Sequence, residues 1–254
     1  METLTITKIR ASVKEETEDV VAQEVPFTII LGDKELVTFL CSPFDLEDLV
    51  RGFLFTSGLI KNPDEIKSLS INNQRWSCYV EIANKNVENL IFKRLYTSGC
   101  GRGTLFYNVL DIIHRSKIIS EFKINSAAVG GLMMDFQKRS EIYLKTGGVH
   151  SAALATELEI SAFREDIGRH NAIDKVIGCV FSQNKTFEDN ILITSGRISS
   201  EVVFKAKKCG MPIVISRSAV TNQAVGLARE MDITLIGFAR GNRMNIYSKD
   251  ERVI

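Results

Sequence analysis

Three short apolar runs near the carboxyl end constrain the fold more than any other feature: "NILITS" (190–195), "MPIVISR" (211–217) and "ITLIGFAR" (233–240). Each is rich in β-branched residues and too continuous for a strand with one wet face. Each therefore reads as a strand buried on both sides. Between them lie "SSEVVFKAKKCG" (199–210) and "NQAVGLAREMD" (222–232), each long enough for about three helical turns. Strands joined by such crossovers run parallel, so the β-α-β-α-β order predicts a parallel sheet covered by helices. The helix-end signals agree: Lys207 and Lys208 precede Gly210, and Pro212 follows.

The rest of the chain reads as α+β. "TLTITKI" (3–9), "PFTIILG" (26–32) and "KELVTFLC" (34–41) have the alternation of strands in a small sheet. "SPFDLEDLVRGFLFTSGLI" (42–60) spaces Leu46, Leu49, Phe53 and Leu54 helically, with Ser42 or Asp45 as cap. "KSLSINNQRWSCYVEIA" (67–83) reads as a hairpin turning near Asn72-Asn73, with Cys78 a structural thiol. "LFYNVLDIIHRSKIISEF" (105–122) reads as an amphipathic helix. "AVGGLMMDFQKRSEIYLKTGGVHSAALATEL" (128–158) suggests a helix, a glycine turn, and then a strand or second helix. The composition changes near residues 120 to 128. The predicted organisation is an amino-terminal α+β domain over 1–125 and a carboxy-terminal α/β domain over 126–254.

Composition narrows the function classes. The 254 residues are 44% hydrophobic, enough for a sizeable core, and the net charge of +1 supplies no general attraction to nucleic acid or membrane. No apolar run reaches the length of a membrane span, and the first twenty residues carry acids where a secretory signal would be apolar. Cysteines 41, 78, 100, 179 and 209 are scattered, and none forms a CxxC pair. A zinc ribbon and a disulfide framework are both unsupported, and a cytoplasmic protein with reduced thiols is expected.

In a parallel α/β sheet, ligands bind past the carboxyl ends of the strands. Those positions hold Thr194-Ser195-Gly196-Arg197, Ser216-Arg217-Ser218, and Phe238-Ala239-Arg240-Gly241-Asn242-Arg243. Arginine beside small and hydroxyl residues at three strand ends suits a phosphate-bearing ligand, because guanidinium grips phosphate bidentately and glycine admits close approach. The bland alternative is a solvated surface charge at each arginine. "FREDIGRHNAIDKVIG" (163–178) adds a polar constellation. Ala172, Ile173, Val176, Ile177 and Val180 form a core stripe, while His170, Asn171, Asp174 and Lys175 share another face. Asp166 and Asp174 stand four residues either side of His170, so an orienting carboxylate is expected there. His150 is placed after a glycine turn at a helix start. Neither the glutamate nor the thiolate ligands of a zinc deaminase accompany it, so no structural or catalytic metal is expected. In "TSGCGRGT" (97–104), Cys100 sits between glycines, with Arg102 beside it and Lys93 and Arg94 upstream. That setting suits either an exposed, activated thiol or an idle turn cysteine.

Several long stretches together resemble one family. "REDIGRHNAIDKVIG" (164–178), "TSGRISSEVVFKAKKCGMPIVISRSAVTNQAVGLA" (194–228) and "GFARGNRMNIY" (237–247), with "DLVRGFLFTSGLI" (48–60) and "TGGVHSAAL" (146–154), are similar to the formate dehydrogenase accessory sulfurtransferases (FdhD). The resemblance implies a carboxy-terminal three-layer domain of cytidine-deaminase type with a mostly parallel sheet. It implies a sulfur carrier that takes persulfide sulfur from a cysteine desulfurase. The acceptor would be the molybdenum of bis(molybdopterin guanine dinucleotide), bound as substrate, during formate dehydrogenase maturation. Cys100 matches the persulfide cysteine, and Phe238 to Arg243 match the segment associated with the guanine dinucleotide. Arg197, Arg217, His170 and Asp166 are expected to assist, in a homodimer. The family loop usually carries a second cysteine three positions on. Here that position is Gly103, so no disulfide can form within the loop, although persulfide carriage needs only one sulfur. The competing reading is a cofactor-binding chaperone without transfer activity.

Overall fold

The computed structural model describes residues 1–83 and 116–254. Cys100, its neighbours Arg102 and Gly103, and the first part of the helix expected over 105–122 lie outside the described residues.

The chain opens with a two-stranded antiparallel ribbon, β1 (Glu2–Arg10) and β2 (Val13–Val21), turning at Ala11 and Ser12, both with positive φ. β1 was expected from alternation to join the small sheet; among the described residues it pairs with β2 and not with that sheet. That partner, "VKEETEDVV", carries Glu15, Glu16, Glu18 and Asp19 and is largely exposed, so no apolar alternation marks it as a strand.

A four-stranded sheet follows, in the order β4 (Lys34–Cys41), β3 (Val25–Leu31), β6 (Ser77–Ile82), β5 (Ile66–Asn72). The β5–β6 hairpin turns where Asn72-Asn73 predicted, and Cys78 is buried in it. Between β4 and β5 runs α1 (Leu46–Thr56), whose Leu49, Val50 and Leu54 are fully buried. Burial of each such side chain contributes about 1.5–3 kcal/mol. Neither expected cap acts. Asp45 takes φ 51 with no side-chain cap bond. Ser42 instead donates its N–H to Asp166 (3.0 Å) and accepts the Ile167 N–H on its hydroxyl (3.2 Å). The β4–α1 joint is thus tied to the carboxy-terminal half.

That half is built on a six-stranded sheet, in the order β12 (Arg243–Ser248), β11 (Thr234–Arg240), β10 (Ile213–Ser216), β9 (Ile191–Thr194), β7 (His150–Ala155), β8 (Ile160–Asp166). The strands read from the three apolar runs, β9, β10 and β11, are parallel as expected. The sheet as a whole is mixed rather than mostly parallel: β7 runs against both β9 and β8, and β12 against β11. Tight connections join β7 to β8 and β11 to β12, whereas β9 reaches the other side of β7 by a helical crossover from β8 and so also runs against it.

α2 (Ser126–Arg139) covers one face, with Val129, Leu132, Met133 and Phe136 over Ile191, Ile193, Ile213, Ile215 and Ile236. α4 (Arg169–Phe181), α5 (Ser200–Cys209) and α6 (Asn222–Met231) cover the other, over Leu192, Val214 and Leu235. Successive strand residues serve opposite cores, which is why the runs had to be continuously apolar. A short helix, α3 (Glu141–Thr146), follows α2. Residues 116–122 are irregular, with Ile118 buried and its N–H on Met231 O (2.9 Å), so the expected helix does not reach them.

One apolar cluster joins β3, β6 and α1 to α4, α5 and the sheet beyond. The contact of α1 with α4 depends on two glycines. A Cβ on Gly52 would fall 1.8 Å from Asp174 O, and one on Gly178 would fall 1.9 Å from Asp48 O. Only hydrogen at both positions lets the helices meet backbone to backbone.

Candidate functional site

The carboxyl ends of β8, β9, β10 and β11 and the amino end of β7 share one edge of the large sheet. The loops there are laced together. Ser216 Oγ donates to Gly196 O (2.6 Å) and accepts the Ser218 N–H (2.9 Å). Ile198 N–H donates to Ala219 O (3.0 Å), and Phe238 N–H to Ser218 O (3.0 Å). A cleft of about 400 Å³ opens at this edge, lined among others by Tyr143, Gly148, His150, Ser195, Arg217, Ser218 and Arg240. Arg240 reaches back across the loop before it, its Nη2 3.5 Å from Arg217 O.

His150 begins strand β7 rather than a helix. Its Nδ1 lies 3.1 Å from Ser195 Oγ, which also accepts the Ser151 N–H (3.0 Å). Beneath, Ser140 Oγ donates to Phe136 O (3.1 Å), so the 2.9 Å contact between the Ser140 and Ser151 hydroxyls uses the Ser151 proton. Burial, with Arg169 adding to it, pushes His150 below the usual imidazole range, and Asp166 opposes. At neutral pH the ring is uncharged. Gly196 leaves room for the Arg169 side chain, whose Cβ and Cδ would each lie 2.9 Å from an added Cβ.

The expected site residues separate. Arg217 and Arg240 come together at the cleft. Arg197 and Arg243 are exposed but do not line it. Gly241 and Asn242 form the β11–β12 turn, which packs against the start of α2: a Cβ on Gly130 would lie 2.9 Å from Gly241 O. Ala239 is 1% exposed within the core, so its side chain is not available to a ligand. Phe238 sits at an irregularity in β11, with φ 52 and its side chain partly exposed. A bulky residue rarely takes that conformation, and the Phe238 N–H bond to Ser218 holds it there.

Asp166 and His170, expected to face a ligand, belong to the interior. Asp166 is 0% exposed. Its carboxylate accepts from Lys175 Nζ (2.7 Å), Ser42 N (3.0 Å), Gly168 N (2.8 Å) and Asn171 Nδ2 (2.9 Å), which leaves nothing for a ligand. Asp174, offered as a partner for His170, binds Lys205 Nζ (2.6 Å) and Thr56 Oγ1 (2.9 Å) instead. The carboxylate beside His170 is Glu201, at 3.4 Å from Nε2. This is no ion pair. Burial first, then Lys205, Arg169 and His150, push His170 down to about 2, so the ring stays neutral. Lys205 also lies 3.8 Å from Glu201, closing the buried cluster.

Of the cleft residues, Ser195, Arg217, Ser218 and Arg240 were legible as strand-end positions. Ser140, Tyr143 and Phe136 were not, because only the fold of α2 and α3 brings them to this edge. The described cysteines are poor sulfur nucleophiles. Burial pushes Cys41 and Cys78 up to about 12 and raises Cys179 and Cys209 as well. Among the described residues, no group of three His, Cys, Asp or Glu side chains is placed to hold a metal ion, and no helix is long and apolar enough to cross a membrane.

Fold and cleft define the class: a mixed α/β protein with a cationic, serine-rich cleft at the strand ends. Residues 22–254 match the FdhD/NarQ family, and the chain belongs to it. It is 40% identical to the sulfur carrier protein FdhD of Staphylococcus aureus (strain MRSA252) over 241 residues, covering 94% of this chain and 91% of that one. The sulfur carrier protein FdhD of Bacillus subtilis (strain 168) is 40% identical over 238 residues, covering 93% and 91%. A crystal structure from Desulfotalea psychrophila, assigned as a formate dehydrogenase accessory protein, superposes with a TM-score of 0.81 at 25% identity, covering 100% of this chain and 99% of that one.

Proposed function

We propose that this protein is a sulfur carrier for formate dehydrogenase maturation, with Cys100 as the carrying thiol and the strand-end cleft as the anchor for a guanine dinucleotide. The observation that carries the reading is the cleft itself. Two arginines, Arg217 and Arg240, converge there with Ser195 and Ser218 in a chain whose 40%-identical relatives are named sulfur carriers. The four described cysteines are held as protonated thiols, which is consistent with the exchange chemistry falling to Cys100.

The Cys100 thiolate attacks the outer sulfur of a cysteine desulfurase persulfide. A new sulfur–sulfur bond forms, the donor's bond breaks, and the donor leaves as thiolate. Transfer to the molybdenum of the bis(molybdopterin guanine dinucleotide) substrate would break the Cys100 sulfur–sulfur bond and return Cys100 as thiolate, with the reduced metal of the substrate supplying the two electrons that take the outer sulfur to sulfide. A cleft of about 400 Å³ suits a nucleotide-sized moiety of that substrate rather than the whole of it. The reading includes a homodimer and a cytoplasmic setting, where free thiols persist.

Incubation with a cysteine desulfurase and cysteine, followed by mass spectrometry, should add the mass of one sulfur atom to the Cys100 peptide. Cys100→Ala should lose that mass and still bind GDP. Arg240→Ala should weaken GDP about tenfold to a hundredfold, the worth of a charge-assisted hydrogen bond. GDP binding without any sulfur on Cys100 would instead support a chaperone without transfer activity.

A further inference from the structure

We propose that His150, seated on Ser195, is the contact in this cleft that takes up a proton as a phosphate-bearing ligand enters. The inference rests on the reading of the cleft as a phosphate site and assigns the residue that responds to it.

Arginine and serine alone would make this site a fixed cation. The structure adds a histidine on the same lining, with its ring held. Ser195 Oγ, fixed by the Ser151 N–H at 3.0 Å, sits 3.1 Å from Nδ1 and can either donate to that nitrogen or accept from it. The same contact therefore serves the neutral ring and the charged one. Among the described residues, Nε2 has no hydrogen-bond partner. In the imidazolium both nitrogens donate: Nδ1–H to Ser195, and Nε2–H to an acceptor that the described residues leave unsupplied.

The charges around the ring favour the neutral form while the cleft holds no anion. Arg169 from α4 acts against protonation together with burial, and Arg217 and Arg240 stand on the same lining. His170, the next titratable group on α4, is itself neutral. Asp166, directly across in the β7–β8 register, favours the charged form, but its carboxylate is already engaged by Lys175. Glu165, beside it on β8, is occupied by the Ile142 and Tyr143 N–H groups at the start of α3. Tyr143 also stands on the lining. An entering phosphate adds negative charge beside the lining arginines. It neutralises their repulsion of the imidazolium and offers Nε2–H an acceptor. Both effects raise proton affinity at this ring, so binding and proton uptake are linked.

Titration calorimetry with GDP at pH 7, in buffers of differing ionisation enthalpy, reads the proton uptake directly. The wild-type protein is expected to take up a fraction of a proton more than His150→Gln, which still binds GDP within about tenfold. Subtracting one variant from the other removes the ligand's own phosphate ionisation. The wild-type ring can also be followed by nitrogen-15 NMR, as one of three histidines in the chain; its titration should move to higher pH when GDP is added. Equal uptake in the two proteins, or an unmoved ring titration, would overturn the proposal and leave the phosphate site standing. No GDP binding to the wild type at all, with Arg240→Ala indistinguishable from it, would overturn both.

Discussion

At the scale of the residue, the largest consequences come from charges removed from water. His170 is neutral in the fold and titrates normally once unfolded. The unfolded chain therefore binds the extra proton, and stability is fully present above the ordinary imidazole value. It is lost as pH falls below about 6.5 toward the folded value of about 2. Chemical denaturation between pH 6.5 and 5 should show a loss of about 2 kcal/mol from this residue, and His170→Gln should flatten that part of the profile. Lys175→Met should leave Asp166 uncompensated at 0% exposure and cost about 3–5 kcal/mol. Adding Asp166→Asn should recover part of the loss; strictly additive effects in a urea-denaturation cycle would contradict the pairing. The presence of a polar cluster in "REDIGRHNAIDK" was readable, and its wiring was not. Four-residue spacing suggested Asp166 and Asp174 as partners of His170. Asp166 instead pairs with Lys175 and Ser42, Asp174 with Lys205, and the carboxylate beside His170 is Glu201; Ser42, Lys205 and Glu201 come from other elements, which spacing along one helix cannot reveal.

Elements were read best where both faces are buried. β9, β10 and β11 carry apolar residues without a break because each strand feeds two cores, and the first intervening helix ends on the signals expected, with Gly210 at φ 75 closing α5. β2 was missed for the opposite reason, since a largely exposed ribbon strand has no buried face to leave a pattern. The resemblance implied a mostly parallel sheet; the antiparallel direction of β7, β8 and β12 depends on connections whose path the apolar pattern does not record. Helix packing supplies a prediction at this scale. Gly178→Ala would drive a methyl group into the Asp48 carbonyl and force α1 off α4, with a cost of about 3 kcal/mol or more in the urea midpoint. Gly131→Ala, on α2 with nothing within 4 Å of the added carbon, should be neutral or slightly stabilising in the same assay.

For the molecule as a whole, the two core clusters contain no residue before Val25. Removal of residues 1–21 should therefore lower the melting temperature by only a few degrees, and a cooperative collapse of the fold would show that the ribbon carries more than its exposed strands suggest. The site was half legible at this scale: strand ends pointed to the arginines, and only the closed fold brought His150 beside Ser195. The Gly52–Gly178 contact has a further consequence for how the molecule is made. α1 leaves the ribosome well over a hundred residues before the helix it must lie against. At about 5–20 residues per second, its Leu49, Val50 and Leu54 remain without their final neighbours for several seconds or longer during each round of translation. A nascent chain halted between the two helices should accordingly be captured by hydrophobic holdases, and one halted beyond Gly178 should escape them.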